Sequence, residues 1–293
     1  MKFITFSYKG ETLPGVLSRD GHSVVSFRQA KLPFASVNDL ICNVSPAQMA
    51  DLKRLSREPE NPLPLEQVKL LAPIPVPRQD VICLGINYAA HARESARYKN
   101  ETYDANRQYA VYFSKRVNEA VGDGAPIQGH FDLQQRLDYE VELAVIIGRD
   151  ACRVPADQAF DYVFGYTILN DISAREIQTR HRQWYFGKSM DGFCPMGPWI
   201  VTEDEFDRPP VLRISSRVNG ELRQDSSTGL LIFSIPQVIE ELSHGMTLKA
   251  GTILSMGTPE GAGMGFDPPR FLKSGDVVSC EIQGIGTLTN PVL

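Results

Sequence analysis

The stretch RLDYEVELAVIIGRD at residues 136–150 constrains the fold most, because it places acids inside an apolar run. Asp138, Glu140 and Glu142 alternate with Leu, Tyr and Val before the run continues as AVIIG. β-branched and aromatic residues favour a strand, in which alternate side chains share one face. The sequence therefore predicts a core strand that carries all of these carboxylates on one face.

Two explanations fit such an acidic face: an edge strand exposed to water, or a cluster whose mutual repulsion a bound cation relieves. The AVIIG run and the lack of interleaved basic residues favour the cation. Oxygen ligands are typical of Mg²⁺, Mn²⁺ or Ca²⁺ rather than zinc. A further ligand would be Asp171, which ends the apolar strand YTILND. Asp171 could instead be a helix N-cap, a role for which Ser173 competes. Ser173 and Glu176 form a capping-box pattern that predicts a helix through about Arg182.

Composition and charge exclude several classes of protein. The chain has 293 residues, 22% of them charged, and a net charge of -5, so no basic surface for nucleic acid is expected. Its five cysteines show no CxxC spacing, which fits a reducing compartment. No apolar run approaches the roughly 20 residues of a membrane helix, and MKFITFSYKGETL lacks a signal-peptide core. We expect a cytoplasmic protein that binds neither nucleic acid nor membrane.

The N-terminal part of the chain has the pattern of a small α+β unit. Short strand-like pieces fill residues 1–28, separated by Lys-Gly at 9–10 and Asp-Gly at 20–21. Both dipeptides are typical of hairpin turns. Residues 36–57 look helical, and Ser45 is the expected N-cap of the clearest amphipathic piece.

A proline-rich stretch at residues 60–80 predicts a boundary between a small N-terminal domain, residues 1–70, and a large domain, residues 71–293. In the large domain, strand patterns outnumber helix patterns and do not alternate with them regularly. This argues against a doubly wound α/β sheet. The sequence predicts a mixed α+β fold, mostly β, built as a sandwich or roll.

A histidine and a glutamate lie three residues apart in NYAAHARESA, a stretch that predicts a helix with Asn87 as its cap. On a helix, His91 and Glu94 would face the same way. A carboxylate next to an imidazole makes it more basic and fixes its tautomer, so the pair could act as a general base. The alternative is an ordinary ion pair on the helix surface.

Two further segments carry candidate site residues. Lys188 lies among aromatic, glycine and proline residues in WYFGKSMDGFCPMGPW, either as a solvated loop charge or as a cation facing an anionic ligand. The glycine-rich loop GTPEGAGMG at residues 257–265 lacks the Lys-Ser/Thr of a P-loop. An approach of this loop to a ligand through its backbone remains open.

Six motifs follow one another from about Leu70 to the end of the chain: GINYAAHARE, DYEVELAVIIG, YTILNDISARE, GKSMDGFCPMGPW, VNGELRQ and GTPEGAG. Together they resemble the fumarylacetoacetate hydrolase family, in particular its bacterial acylpyruvase and fumarylpyruvate hydrolase-like members. The resemblance implies a mixed β-sandwich roll with the small N-terminal domain as an addition. It also implies a homodimer.

The resemblance assigns roles to individual residues of this chain. It implies that the metal ligands are Glu140, Glu142 and Asp171. The implied catalytic residues are His91, Glu94 and Lys188. The implied substrate contacts are Lys115, Gln178 and Thr258. Asp138 would lie next to the metal and orient the site or a water. Residues 88–108 would form a lid that becomes ordered over the substrate.

The activity implied by the resemblance is metal-dependent hydrolysis of a C–C bond in a 2,4-dioxo acid, of the acylpyruvate or fumarylpyruvate type, as in aromatic-compound catabolism. The partner is then a small 2-oxo acid, and the cofactor Mg²⁺ or Mn²⁺, with Ca²⁺ as a third candidate. The same enolate chemistry would serve an oxaloacetate decarboxylase or a 2-hydroxy-dienoate isomerase. The hydrolase is favoured because both His91 and Glu94 are present. A non-catalytic binding protein is the remaining alternative, although no implied ligand is missing.

Overall fold

The computed structural model describes residues 1–102 and 108–293, so part of the predicted lid, residues 103–107, lies outside the described chain. The helices are α1 (Val37–Asn43), α2 (Pro46–Arg57), α3 (Ala89–Lys99), α4 (Arg175–Arg180), α5 (Tyr185–Lys188) and α6 (Ile235–Gly245). The first strands are β1 (Lys2–Tyr8), β2 (Glu11–Leu17), β3 (Ser23–Ser26), β4 (Leu63–Pro64), β5 (Lys69–Leu71), β6 (Val81–Gly85), β7 (Val111–Lys115), β8 (Leu137–Asp138) and β9 (Val141–Ile147). The others are β10 (Val163–Asn170), β11 (Ser173–Ala174), β12 (Met196–Thr202), β13 (Arg213–Val218), β14 (Glu221–Ser227), β15 (Ile253–Ser255), β16 (Val277–Ile282) and β17 (Gly286–Pro291).

Most strands belong to one large mixed sheet, in the order β4-β3-β2-β1-β12-β10-β9-β15-β6-β7, with β5 also paired to β1. Its pairings are antiparallel except for the parallel contact between β15 and β6. A smaller sheet has the order β14-β13-β16-β17, and β8 pairs with β11 separately. These packed sheets confirm the predicted mixed α+β class, rich in strands.

Strand β9 is buried along its whole length because both of its faces contact a core. Leu143 and Val145 belong to the same apolar cluster as Ile214 of the smaller sheet. Ala144 and Ile146 belong to a second cluster that includes residues of α1 and α2. The sheet–sheet packing on one side and the helices on the other explain why the AVIIG run has no polar face.

The predicted strand with three acids on one face is interrupted. Asp138 ends β8, whereas β9 begins only at Val141. Asp138 pairs with Ser173 of β11, and Glu142 pairs with Leu169 of β10. The acids are therefore held by different pairings, and the alternating pattern did not reveal this break.

The predicted hairpins of the N-terminal part are confirmed. Tyr8 lies opposite Glu11, so Lys9 and Gly10 form a two-residue turn, with φ angles of 50° and 82°. Both positive angles are those of a hairpin turn of type I′. Helix α2 begins after Ser45, as predicted, in a capping box.

The N-terminal strands are continuous with the large sheet, since β1 pairs with β12 through Lys2 and Val201. The division into residues 1–70 and 71–293 stays a prediction. Within residues 1–102 and 108–293, no helix combines the length and apolarity needed to span a membrane.

Helix α3 begins with Tyr88 in the N-cap position, so the predicted cap by Asn87 is wrong. The amide of Asn87 instead donates to the carbonyls of Phe233 and Met256, at 3.0 and 2.9 Å, and accepts from the Phe233 amide. The residue therefore connects the start of α3 to the chain before α6 and to the chain after β15.

The predicted capping box at the start of α4 is also absent. The Ser173 hydroxyl donates to the Asp171 carbonyl, and the Glu176 carboxylate accepts from the Gln135 amide. Helix α4 ends at Arg180 rather than at about Arg182. Neither side chain therefore bonds to the first turn of α4, and the Glu176 contact is with a residue 41 positions away.

Candidate active site

Three buried carboxylates converge where β9 meets β10. Ligand atoms of Glu140, Glu142 and Asp171 all lie within 4.8 Å of one another. The antiparallel pairing of Val141 with Asn170 brings the two chain segments together. The Asp171 amide also donates to the Glu140 carbonyl at 2.8 Å. These three acids form the carboxylate triad of the site.

Three cations contact the triad. The Lys188 ammonium donates to Glu140 at 2.5 Å and also to Asp171. Arg175 donates to Glu140 at 2.6 Å, and Lys115 donates to Asp171 at 2.7 Å. Burial by itself raises the pKa of Glu140, but the charges of Arg175 and Lys188 outweigh it and hold that pKa well below its usual range. Glu140 is thus a stable anion.

The pKa of Glu142 is shifted in the opposite direction to that of Glu140. Burial, followed by the charges of Asp171 and Glu140, raises its pKa well above the usual value. The Ser255 hydroxyl donates to Glu142 at 2.5 Å and the Gly257 amide at 3.1 Å, which does not offset the repulsion. Hard oxygen donors in this arrangement suit Mg²⁺, Mn²⁺ or Ca²⁺. The buried triad could bind a divalent metal ion, which would relieve the repulsion at Glu142.

Asp138 does not belong to the triad. Its carboxylate accepts from the amides of Gly263 and Met264, at 2.7 and 3.0 Å, and from Arg175 at 2.9 Å. Because the same guanidinium holds Glu140, Asp138 orients a presumed ligand through Arg175 and connects it to the glycine-rich loop. Arg175 was not among the predicted site residues. Its position, four residues after Asp171, was interpreted only as part of the capping-box pattern at the start of α4.

The histidine–glutamate pair of α3 faces the triad and is not exposed on a helix surface: His91 is buried and Glu94 is partly buried. His91 Nδ1 lies 3.7 Å from Glu94 Oε2, and His91 Nε2 lies 3.9 Å from Glu140 Oε1. Both distances exceed that of a hydrogen bond. Both oxygens of Glu94 lie 3.1 Å from the Gly261 amide. A Cβ on Gly265 would lie 2.5 Å from Glu94 Cδ, so only glycine permits this approach.

A single pocket contains these groups. Two triad members, Glu140 and Glu142, line it together with His91 and Lys188. Tyr98, Lys99, Phe113, Arg175 and Trp184 also line it. The pocket therefore joins an acidic cluster, several cations and an imidazole in one space.

The three predicted substrate contacts differ in position. Gln178 and Thr258 line the pocket. Gln178 accepts from Arg175 at 3.1 Å, and the Thr258 hydroxyl accepts from Gln224 at 2.7 Å. Lys115 does not line the pocket but is fully buried behind it, where it supports Asp171. A substrate contact for each stays a prediction.

A model of the family described as "Fumarylacetoacetate (FAA) hydrolase C-terminal" matches residues 80–293. The chain belongs to the fumarylacetoacetate hydrolase family. Oxaloacetate tautomerase YisK of Bacillus subtilis is 47% identical over 228 residues, which are 78% of this chain and 74% of that protein. The predicted family membership is thereby confirmed.

Solved structures of fumarylacetoacetate hydrolase relatives share the whole fold. A fumarylacetoacetate hydrolase from Exiguobacterium antarcticum is 39% identical with a TM-score of 0.84, covering 100% of this chain and 99% of its own. A 5-carboxymethyl-2-hydroxymuconate delta-isomerase from Mycobacterium smegmatis is 34% identical with a TM-score of 0.75 and the same coverage. The relatives are named as tautomerase, hydrolase and isomerase, so the family consists of enzymes with more than one activity.

Proposed function

We propose that this protein is a divalent-metal-dependent enzyme that interconverts the keto and enol forms of a small 2-oxo acid, with oxaloacetate as the first candidate. The observation that carries the proposal is the position of His91. Its ring lies between Glu94 and Glu140, 3.7 and 3.9 Å from their nearest oxygens, in the pocket that contains the triad. A base over a candidate metal site is what enolisation requires.

Each group has one task in this reaction. When bound at the triad, Mg²⁺, Mn²⁺ or Ca²⁺ would polarise the keto oxygen and stabilise negative charge on it. Lys188 adds a fixed positive charge beside Glu140 and Asp171. His91 removes the proton from C3 of the substrate, and the proton is returned to the keto oxygen, so no atom is gained or lost. Glu94 stabilises the imidazolium during the transfer.

The names of two relatives support proton transfer without bond cleavage. The Bacillus subtilis relative is called an oxaloacetate tautomerase, and the Mycobacterium smegmatis relative a delta-isomerase. Both names describe relocation of a proton and a double bond.

Hydrolysis of a 2,4-dioxo acid, of the acylpyruvate or fumarylpyruvate type, is the second candidate. It is favoured by the same His91–Glu94 pair, which could activate a water to attack a distal carbonyl. Hydrolysis needs that water and a second carbonyl in addition to the groups used for enolisation. Oxaloacetate decarboxylation begins from the same substrate, but it breaks a C–C bond, releases CO₂ and leaves the enolate of pyruvate.

The His91→Asn substitution tests the proposal. We expect it to lower kcat for enol-to-keto conversion of oxaloacetate by about 10²- to 10⁴-fold, the usual contribution of a general base. The assay follows the loss of enol absorbance with Mg²⁺ or Mn²⁺, and acetylpyruvate cleavage is measured in parallel. His244→Asn, on the exposed side of α6, is the matched control and should not change kcat.

One outcome would favour the second candidate. If the metal-loaded wild type accelerates ketonisation no more than the free ion does, yet cleaves acetylpyruvate, the protein is a hydrolase. His91→Asn would then reduce the cleavage rate instead.

A further inference from the structure

We propose that Lys99 binds the second carboxylate of the substrate and so makes the enzyme selective for 2-oxo acids that are dicarboxylic. The inference deepens the proposed function and rests on it. It is carried by the position of Lys99, by its charge environment and by the direction in which a chelating substrate must point.

Lys99 lies where the pocket meets the surface. It is the last residue of α3, the helix that carries His91, and both residues line the pocket with the triad. Lys99 also lines an adjoining open cleft together with Arg136 and Arg182. Tyr98, Gln178, Thr179 and Trp184 are common to the pocket and the cleft. The ammonium group is therefore placed at the mouth of the site.

Lys99 differs from the other cations of the site in its direct contacts. Lys188, Lys115 and Arg175 each form ion pairs with buried carboxylates. Across residues 1–102 and 108–293, Lys99 forms no ion pair; its contact is with the ring face of Trp184, 5.0 Å from the ammonium to the ring centroid. Burial lowers the pKa of Lys99, and the charges of Glu101 and Glu140 oppose this without reversing it. A partly buried ammonium without a direct ion pair gains more from a bound anion than a solvated one does.

The expected orientation of the substrate leads to the same residue. With a metal ion held by Glu140, Glu142 and Asp171, a 2-oxo acid would bind it through its first carboxylate and keto oxygen, so that end would face the triad. The rest of the molecule then points away from the triad, towards the mouth at Lys99. The cleft at this mouth is lined by Arg136 and Arg182 as well as by one acid, Glu101, and the excess of positive charge attracts anions by long-range electrostatics.

A comparison of two substrates in one variant tests the inference. Lys99→Met is assayed for hydrogen–deuterium exchange at C3 of oxaloacetate and of 2-oxobutanoate, which has the same number of carbons but no second carboxylate. We expect kcat/KM to fall about 10- to 100-fold more for oxaloacetate, the range of one charge-assisted hydrogen bond, mainly through KM. Lys99→Arg should recover most of the loss. Lys249→Met, which removes an exposed ion pair with Asp150, should leave kcat/KM unchanged for both substrates.

Three outcomes are distinguishable. Equal losses for both acids in Lys99→Met would show that Lys99 only stabilises α3, and would overturn the inference. A wild type that exchanges both acids with equal kcat/KM would also overturn it, while the proposed function would stand. A wild type that exchanges neither acid would overturn the proposed function, and the inference with it.

Discussion

The Glu142→Gln substitution is expected to abolish tight binding of one Mn²⁺ per chain and to remove enolisation activity. The amide keeps the shape of the side chain near Ser255 and Gly257 but loses the negative charge that the ion requires. Isothermal titration with Mn²⁺ measures the binding. Glu281→Gln, an exposed glutamate on β16, is the matched control and should bind the ion as the wild type does.

In the absence of metal, Glu142→Gln should not lower the stability of the protein. Burial and the neighbouring charges of Asp171 and Glu140 disfavour a charged Glu142, so the metal-free Glu142→Gln protein should be at least as stable as the metal-free wild type. Mn²⁺ at 100 times its Kd should add about 2.7 kcal/mol to the unfolding free energy of the wild type and nothing to the variant. Undiminished Mn²⁺ binding by Glu142→Gln would show that the triad is not the metal site.

The Lys188→Met substitution is expected to lower the free energy of unfolding of the metal-free protein by about 3–5 kcal/mol, the usual effect of removing one partner from a buried ion pair. Glu140 and Asp171 would lose a cation that both of them contact. The variant should also lose activity, because the charge beside the developing enolate is gone. Chemical denaturation with and without Mn²⁺ measures the stability.

Lys249→Met is the matched control for the loss of stability, because it removes an exposed ion pair instead of a buried one. Lys249 forms an ion pair of 2.6 Å with Asp150, but its side chain is 55% exposed. Its loss should change the unfolding free energy by about 0–1 kcal/mol. Mn²⁺ should offset part of the loss in Lys188→Met, since the ion supplies positive charge to the same carboxylates. Similar losses in both lysine variants would contradict the assignment of Lys188 as a buried counter-ion.

Local patterns predicted those features of the fold that depend on neighbouring residues. The turn at Lys9 and Gly10 follows from their tolerance of positive φ angles, and the Ser45 cap follows from side-chain bonding to the next turn. The convergence of Glu142 with Asp171 could be predicted from the sequence, because Glu142 lies near the start of the apolar strand β9 and Asp171 directly follows the apolar strand β10.

Features that depend on residues far apart in the sequence could not be predicted from local patterns. Asn87 and Ser173 both have the local pattern of a cap, yet the Asn87 side chain bonds to Met256 and Ser173 pairs with Asp138 between strands. The interruption after Asp138 arises because Arg175 and the amides of the glycine-rich loop hold its carboxylate. The pairing of β1 with β12 joins segments about 200 residues apart, which no local pattern encodes.

The most direct test of enolisation at the triad is hydrogen–deuterium exchange at C3 of oxaloacetate, followed by NMR in D₂O with the Mn²⁺-free, Mg²⁺-loaded wild type. If the triad binds the metal and enolisation takes place there, exchange should be well above the rate with Mg²⁺ alone. This acceleration should be lost when Mg²⁺ is removed by a chelator and should return when Mg²⁺ is added back. Exchange at the rate of the free ion, from a protein shown to hold Mg²⁺, would contradict enolisation at the triad.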